Sequence, residues 1–227
     1  MSLFTDNNLK LSDKPKSVVD TVADFLRKSI VNGSLKPGEK IPNNDISNSL
    51  GVSIIPFREA IRVLEKEGLV ISHRGRGSWV ANTSIKDLEE TFEMREMMEL
   101  SAINLIENHV KAGEDIKKKI ELLIPGKEVD ELGMEFCMNF HRNIIKLARN
   151  SKLLYVFDMF LNNIRRYQRL SYTIRHMEGL TADEHFKEHY KFFELLIKGD
   201  FDSTRKGINE HLNKLKNLLL KQMEFSE

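Results

Sequence analysis

A single cysteine, Cys137, in 227 residues excludes an intramolecular disulfide framework and fits a reducing compartment. Long hydrophobic runs are missing too: charged residues make up 30% of the chain and interrupt every apolar stretch. Nothing approaches the roughly 20 consecutive apolar residues that a membrane helix needs. Residues 1–15 are polar, lack the apolar centre of a secretory signal, and read as a flexible tail. These absences predict a soluble cytoplasmic protein without a membrane partner. Net charge is equally scarce, with 35 Lys and Arg against 34 Asp and Glu, a formal +1. The overall balance therefore gives no argument for a polyanionic partner. Its distribution is uneven, twelve basic against nine acidic residues through position 82 and 23 against 25 beyond it, but the asymmetry is too small to decide anything. Solenoid repeats and low-complexity tracts are absent. What is present, 41% hydrophobic residues, suffices for about two domains of ~100–200 residues each.

The most informative stretch runs from Gly51 to Val80. Leu50, Gly51 and Val52 read as a turn, and Ser53 is placed to cap the free amides of a following helix that tolerates Pro56 in its first turn. Phe57, Ala60, Ile61 and Leu64 recur at helical spacing and predict an inward face, which leaves Ser53, Arg58 and Arg62 for a nucleic-acid side. Gly68 suits the end of that helix. Two short β-prone runs, 69–72 and 78–81, flank His73, Arg74, Gly75, Arg76 and Gly77, the pattern of a basic hairpin wing able to reach phosphates or a minor groove. A helix-turn-helix with a wing makes double-stranded DNA the first partner to consider.

Beyond Ala81 the pattern becomes helical throughout, with 82–84 as the linker and Ser84 as a helix cap. Ile85, Leu88, Phe92, Met94, Met98 and Ile103 supply an apolar stripe for the first helix. Gly113, Pro125-Gly126, Asn150, Gly179 and Gly199 punctuate the rest, predicting helices near 114–124, 129–148, 153–175, 182–197 and 202–223. Asn150 suits the end of one of them. The expected fold is mainly α: a flexible tail to residue 15, a winged helix-turn-helix over 16–82, and an all-α six-helix bundle over 83–227.

Within that bundle His141, His189 and His211 fall on three different helices. They can share a metal only if the fold turns all three inward; otherwise each is an interfacial histidine with one nitrogen in water.

Residues 16–82 resemble the GntR family of bacterial transcription regulators. The resemblance is carried by the helix 18–31, the segments 33–41 and 45–53, Pro56-Phe57-Arg58-Glu59-Ala60-Ile61, the segment 64–70 and Gly75-Arg76-Gly77-Ser78-Trp79-Val80. Arg58 matches a family DNA-contacting arginine. Ile54 and Asn44 depart from the pattern, standing where basic residues are frequent. Residues 84–223 resemble the FCD effector-binding domain of the FadR subfamily, and six helices point to its VanR-like branch. The matching pieces are Arg95 through Glu99, Phe140-His141 with Asn150, Glu188-His189 leading to Lys198-Gly199-Asp200, and His211.

The resemblance implies a divalent metal held by His141, His189, His211 and an aspartate four residues before His141. Cys137 occupies the aspartate's place, one helical turn from His141. A thiolate with three imidazoles favours zinc, with nickel or manganese as alternatives, while an inert Cys137 is a small buried apolar residue. His185 is a rival to His189, since the two are four residues apart. Arg95 is a candidate for an anionic effector, and an ion pair with Glu99 is its alternative.

These features predict a homodimeric regulator that binds a palindromic operator and responds to a small molecule, an organic acid by this reading. A metal with open coordination could instead generate a hydroxide nucleophile, but no nucleophile elbow, phosphate loop or metalloprotease motif supports an enzyme. A winged-helix interaction protein with weak or no DNA binding is the alternative that Ile54 and Asn44 suggest.

Overall fold

Ser17 starts the first helix with a reciprocal capping box: its hydroxyl accepts from the Asp20 amide, and the Asp20 carboxylate accepts from the Ser17 amide. The computed structural model describes residues 16–122, 134–177 and 182–224; the side chains of 134–137, 168–177 and 182–186 lie outside that description. The elements in chain order are α1 (Val18–Val31), β1 (Lys40–Ile41), α2 (Asn43–Ser49), α3 (Ile54–Lys66), β2 (Val70–His73) and β3 (Gly77–Val80). The helices α4 (Ile85–Lys111), α5 (Lys117–Glu121), α6 (Met134–Leu147), α7 (Ser151–Met177), α8 (Ala182–Lys198) and α9 (Phe201–Glu224) follow. The mainly α class, with a winged helix followed by six helices among the described residues, is the one expected.

Two separate apolar cores form. One joins Val22, Leu26 and Ile30 of α1 to Phe57, Ile61 and Leu64 of α3 and closes over Leu69, Val70 and Val80 of the wing. The other joins α4 to α9, with Phe92, Ile103, Phe140, Ile144, Phe157, Phe193, Ile208 and Leu215 among its buried members. The sheet is three-stranded, order β1-β3-β2 and antiparallel throughout. Its edge strand β1 was not expected, because two residues are too few to show alternation.

Two local expectations need adjustment. Ser53 has the extended backbone of an N-cap, but its side chain makes no capping hydrogen bond. Asn150 does not end α6; Arg149 takes the left-handed conformation there (φ 53°), and Asn150 caps α7 by accepting from the amides of Lys152 and Leu153. Arg166 of α7 donates to the Ala81 carbonyl at the end of the wing.

Gly68 ends α3 in the left-handed region (φ 72°), with its amide on Glu65 O and the Leu69 amide on Leu64 O, a Schellman arrangement. A side chain there would also press on Asn163 of α7, whose Nδ2 lies 3.3 Å from the position a Cβ would take. The close approach is used: Asn163 Nδ2 donates to the Glu67 carbonyl at 2.8 Å, and Asn162 Nδ2 to the Glu67 carboxylate at 3.2 Å. Arg27 of α1 holds the same carboxylate through Nε (2.8 Å) and Nη2 (2.6 Å). Helix α7 thus caps the end of α3 from the other core. Asn163→Ala should lower stability by about 1 kcal/mol, the usual net worth of one such bond, as measured by urea unfolding of the full chain; an unchanged midpoint would show that the contact carries no energy.

Candidate metal centre and nucleic-acid interface

The apolar faces of three helices bring three histidines together. In α6 Met138, His141, Ile144 and Ile145 follow one another at helical spacing. In α8 His189, Phe192, Phe193 and Leu196 do so, and in α9 Thr204, Ile208, His211 and Leu215; all are buried. His141, His189 and His211 have essentially no exposed surface, and their candidate ligand nitrogens lie within 4.8 Å of one another. The Nε2 atoms of His141 and His189 are 3.3 Å apart. Two nitrogens each about 2.0–2.1 Å from a tetrahedral zinc would stand at about that separation, so the imidazoles present fit such an ion. Cys137 is in α6 one turn before His141, but its side chain lies outside the described residues, as does that of His185.

Aromatic rings wall the cluster. Phe140 stands edge-on to His141 at 5.0 Å and to His189 at 4.7 Å, and Phe192 lies 5.9 Å from His211. Gly207 of α9 makes room for this wall, since a Cβ there would sit 2.7 Å from Phe192 Cε1. That glycine gives no sign of its role in the sequence, where it is only a poor helix former amid a polar run.

Beside the cluster lies a second buried group. Arg95 Nε donates to Glu99 Oε1 at 2.7 Å, and His141 Nδ1 is 2.7 Å from Glu99 Oε2; none of the three side chains is exposed. Both readings of Arg95 bear on this arrangement, because the ion pair with Glu99 exists and still leaves Nη1 and Nη2 buried without a hydrogen-bond partner among the described residues. Burial pushes the Glu99 carboxyl upward, against the pull of the Arg95 guanidinium. Where Glu99 is ionised it can only accept, and His141 then carries its proton on Nδ1 and presents the Nε2 lone pair toward His189. Sequence reasoning missed this role of Glu99, which comes from a contact across 42 positions. His211 has a comparable neighbour, with Nδ1 3.2 Å from Glu188 Oε2. Glu99→Ala should cost about 3–5 kcal/mol in a denaturation experiment, since it leaves the Arg95 charge buried alone; a loss below 1 kcal/mol would mean that the pair is not desolvated in solution.

The candidate nucleic-acid residues belong to α3 and to the wing, the elements built around the chain's other core. Ser53, Arg58 and Arg62 are exposed on the outward face of α3, opposite Phe57, Ala60, Ile61 and Leu64. Arg58 has no partner among the described residues, whereas Arg62 pairs with Glu59 at 2.6 Å. His73, Arg74, Gly75 and Arg76 are exposed at the wing tip, where the Arg76 amide closes the turn on His73 O and the His73 ring packs against Trp79 at 5.3 Å. Ile54, the departure from the family pattern, turns partly inward and packs on the core, and Asn44 is exposed in α2.

Each core has its own counterpart among known proteins. Residues 18–80 match the family described as bacterial regulatory proteins, gntR family, and residues 90–214 match the FCD domain. The uncharacterized HTH-type transcriptional regulator YdhC of Bacillus subtilis (strain 168) is 28% identical over 207 residues, covering 88% of this chain and 90% of that one. A probable D-xylose utilization operon transcriptional repressor of Paenarthrobacter nicotinovorans is 27% identical over 202 residues, 86% of each chain. The solved structure of a transcriptional regulator GntR from Rhodococcus sp. RHA1 shares the fold, with a TM-score of 0.70 over 91% of this chain and 99% of that one at 20% identity. The matched families and relatives are regulators and not enzymes, which removes the hydrolytic reading of the histidines. With a GntR helix-turn-helix followed by an FCD effector-binding domain, the chain belongs to the GntR family of transcription regulators.

Proposed function

We propose that this regulator is a cytoplasmic homodimer whose residues 16–82 bind a palindromic operator and whose residues 83–227 respond to a small organic acid bound beside a divalent metal. The observation that carries the proposal is the buried Arg95, with two guanidinium nitrogens that have no hydrogen-bond partner among the described residues, one carboxylate away from three convergent imidazoles. Buried donors without acceptors are costly, and a carboxylate is the group that accepts from both arms of a guanidinium at once. His141, His189 and His211 would hold the metal, with Cys137 as the candidate fourth ligand; zinc is favoured and nickel or manganese are alternatives. When bound, the ion would offer a coordination position to an effector oxygen. Glu99 fixes the His141 ring and Arg95 orients the anion. The effector must favour one arrangement of the two winged helices over the other, or it shifts nothing.

On the DNA side, the exposed Arg58 and the wing residues His73, Arg74, Gly75 and Arg76 supply donors, with Ser53 and Arg62 beside them. A two-fold dimer matches the symmetry of a palindrome. No helix among the described residues is long and apolar enough to cross a membrane.

The full chain, purified without chelator, should carry close to one equivalent of zinc, nickel or manganese. Replacing any two of His141, His189 and His211 by Ala should remove it, and so should acidification, because ligation needs neutral rings. Elemental analysis decides: metal retained in the triple-histidine variant would overturn the assigned centre. Cys137→Ser separates the fourth ligand, weakening zinc strongly only where sulfur coordinates.

A further inference from the structure

The outward row of α3 does not consist of polar groups alone. Ile55, Arg58 and Arg62 stand at intervals of three and four residues, on the side opposite the buried Phe57, Ala60, Ile61 and Leu64. Ile55 is 71% exposed, while its neighbour Ile54 packs on the core. The exposed apolar side chain therefore heads the row, in the first turn of the helix. It is flanked by Ser53, whose hydroxyl makes no capping bond, and by Arg58, which has no partner among the described residues.

A recognition helix enters the major groove by its N-terminal residues. Most of what a base pair presents in that groove is a donor or an acceptor, which rewards no hydrocarbon. The thymine C5-methyl is the apolar feature, and it is met by apolar side chains. We propose that Ile55 reads a thymine methyl in each half-site and is a specificity-determining residue of this regulator, an inference that rests on the DNA-reading function proposed above. Arg58 and Arg62, one and two turns further along the same row, supply the polar contacts to neighbouring bases or phosphates. The Ser53 hydroxyl, which makes no capping bond, completes the N-terminal end. In this arrangement the isoleucine exposed to water in the free protein becomes covered only on a sequence that places a methyl beneath it.

The experiment selects bound duplexes from a random double-stranded DNA pool with the full-length wild-type protein, then replaces each thymine of the enriched sequence in turn by deoxyuridine. One thymine at a fixed place in each half-site should be sensitive, with affinity falling roughly fourfold per methyl removed, the worth of one buried methylene-sized group. Ile55→Ala should bind the thymine sequence more weakly by a similar factor and be indifferent to deoxyuridine at that position. Ile55→Val, which keeps a branched end, should retain the sensitivity. Because the side chain is exposed, thermal unfolding of both variants should match wild type, so lost binding will not reflect lost folding. An enriched sequence insensitive to deoxyuridine at every thymine, or an Ile55→Ala variant that keeps wild-type sensitivity, would overturn the assignment of Ile55 while leaving DNA reading intact. Failure to enrich any sequence would overturn both, and would point to a protein partner on this face.

Discussion

A guanidinium and a carboxylate, Arg95 and Glu99, sit with no exposed surface in the middle of α4, and the second core is arranged around them. Removing two ions from water costs several kcal/mol each, and their attraction recovers that only with good geometry and further hydrogen bonds. Here Glu99 uses both oxygens, one on Arg95 and one on His141, which ties α4 to α6. His189 and His211 then close from α8 and α9, and Phe140, Phe192 and Phe193 exclude water around them. Well-packed apolar residues at 95 and 99 would serve stability at least as well. That two charged residues occupy the place fits a core shaped to receive something charged, which is why the anion and the metal are proposed together.

The two cores meet along α7. On one side it packs against α4, α6 and α9; on the other Asn162, Asn163 and Arg166 hold the end of α3 and the end of the wing. Arg142, the residue after His141, reaches α7 through a bidentate pair with Asp158 at 2.7 and 2.8 Å. Tyr167 bonds from α7 to Asp87 in the first turn of α4; burial, together with the neighbouring carboxylate, raises its phenol well above the usual range, so it remains a donor. A continuous set of contacts therefore joins the histidine cluster to the recognition helix. Continuity is geometric, and energetic coupling further requires that α7 or its contacts have two arrangements which effector and DNA prefer unequally.

Much of this was legible in the chain itself. Ser84 and the glycines at 68, 113 and 199 are local punctuation, and the helices they bound depend on nearby residues. The inward set of α3 follows from periodicity. The family motifs brought His141, His189 and His211 together before any geometry was known. What could not be read depends on long-range partners. Glu99 looks like an ordinary helix carboxylate until His141 arrives beside it, and Gly207 looks like a weak spot until Phe192 packs over it. Asn162, Asn163 and Arg166 read as a polar helix face because the surface they dock on lies some 85–96 positions away. Asn150 was read at the wrong side of its turn, since Arg149 had no sequence feature to announce a positive φ.

X-ray absorption spectroscopy on the zinc-loaded full chain tests the three-imidazole centre most directly. A first shell with three imidazole nitrogens at about 2.0–2.1 Å is expected, joined by one sulfur at about 2.3 Å if Cys137 is the fourth ligand and by an oxygen otherwise. A spectrum without imidazole scattering, or one unchanged in a variant lacking His141, His189 and His211, would contradict it.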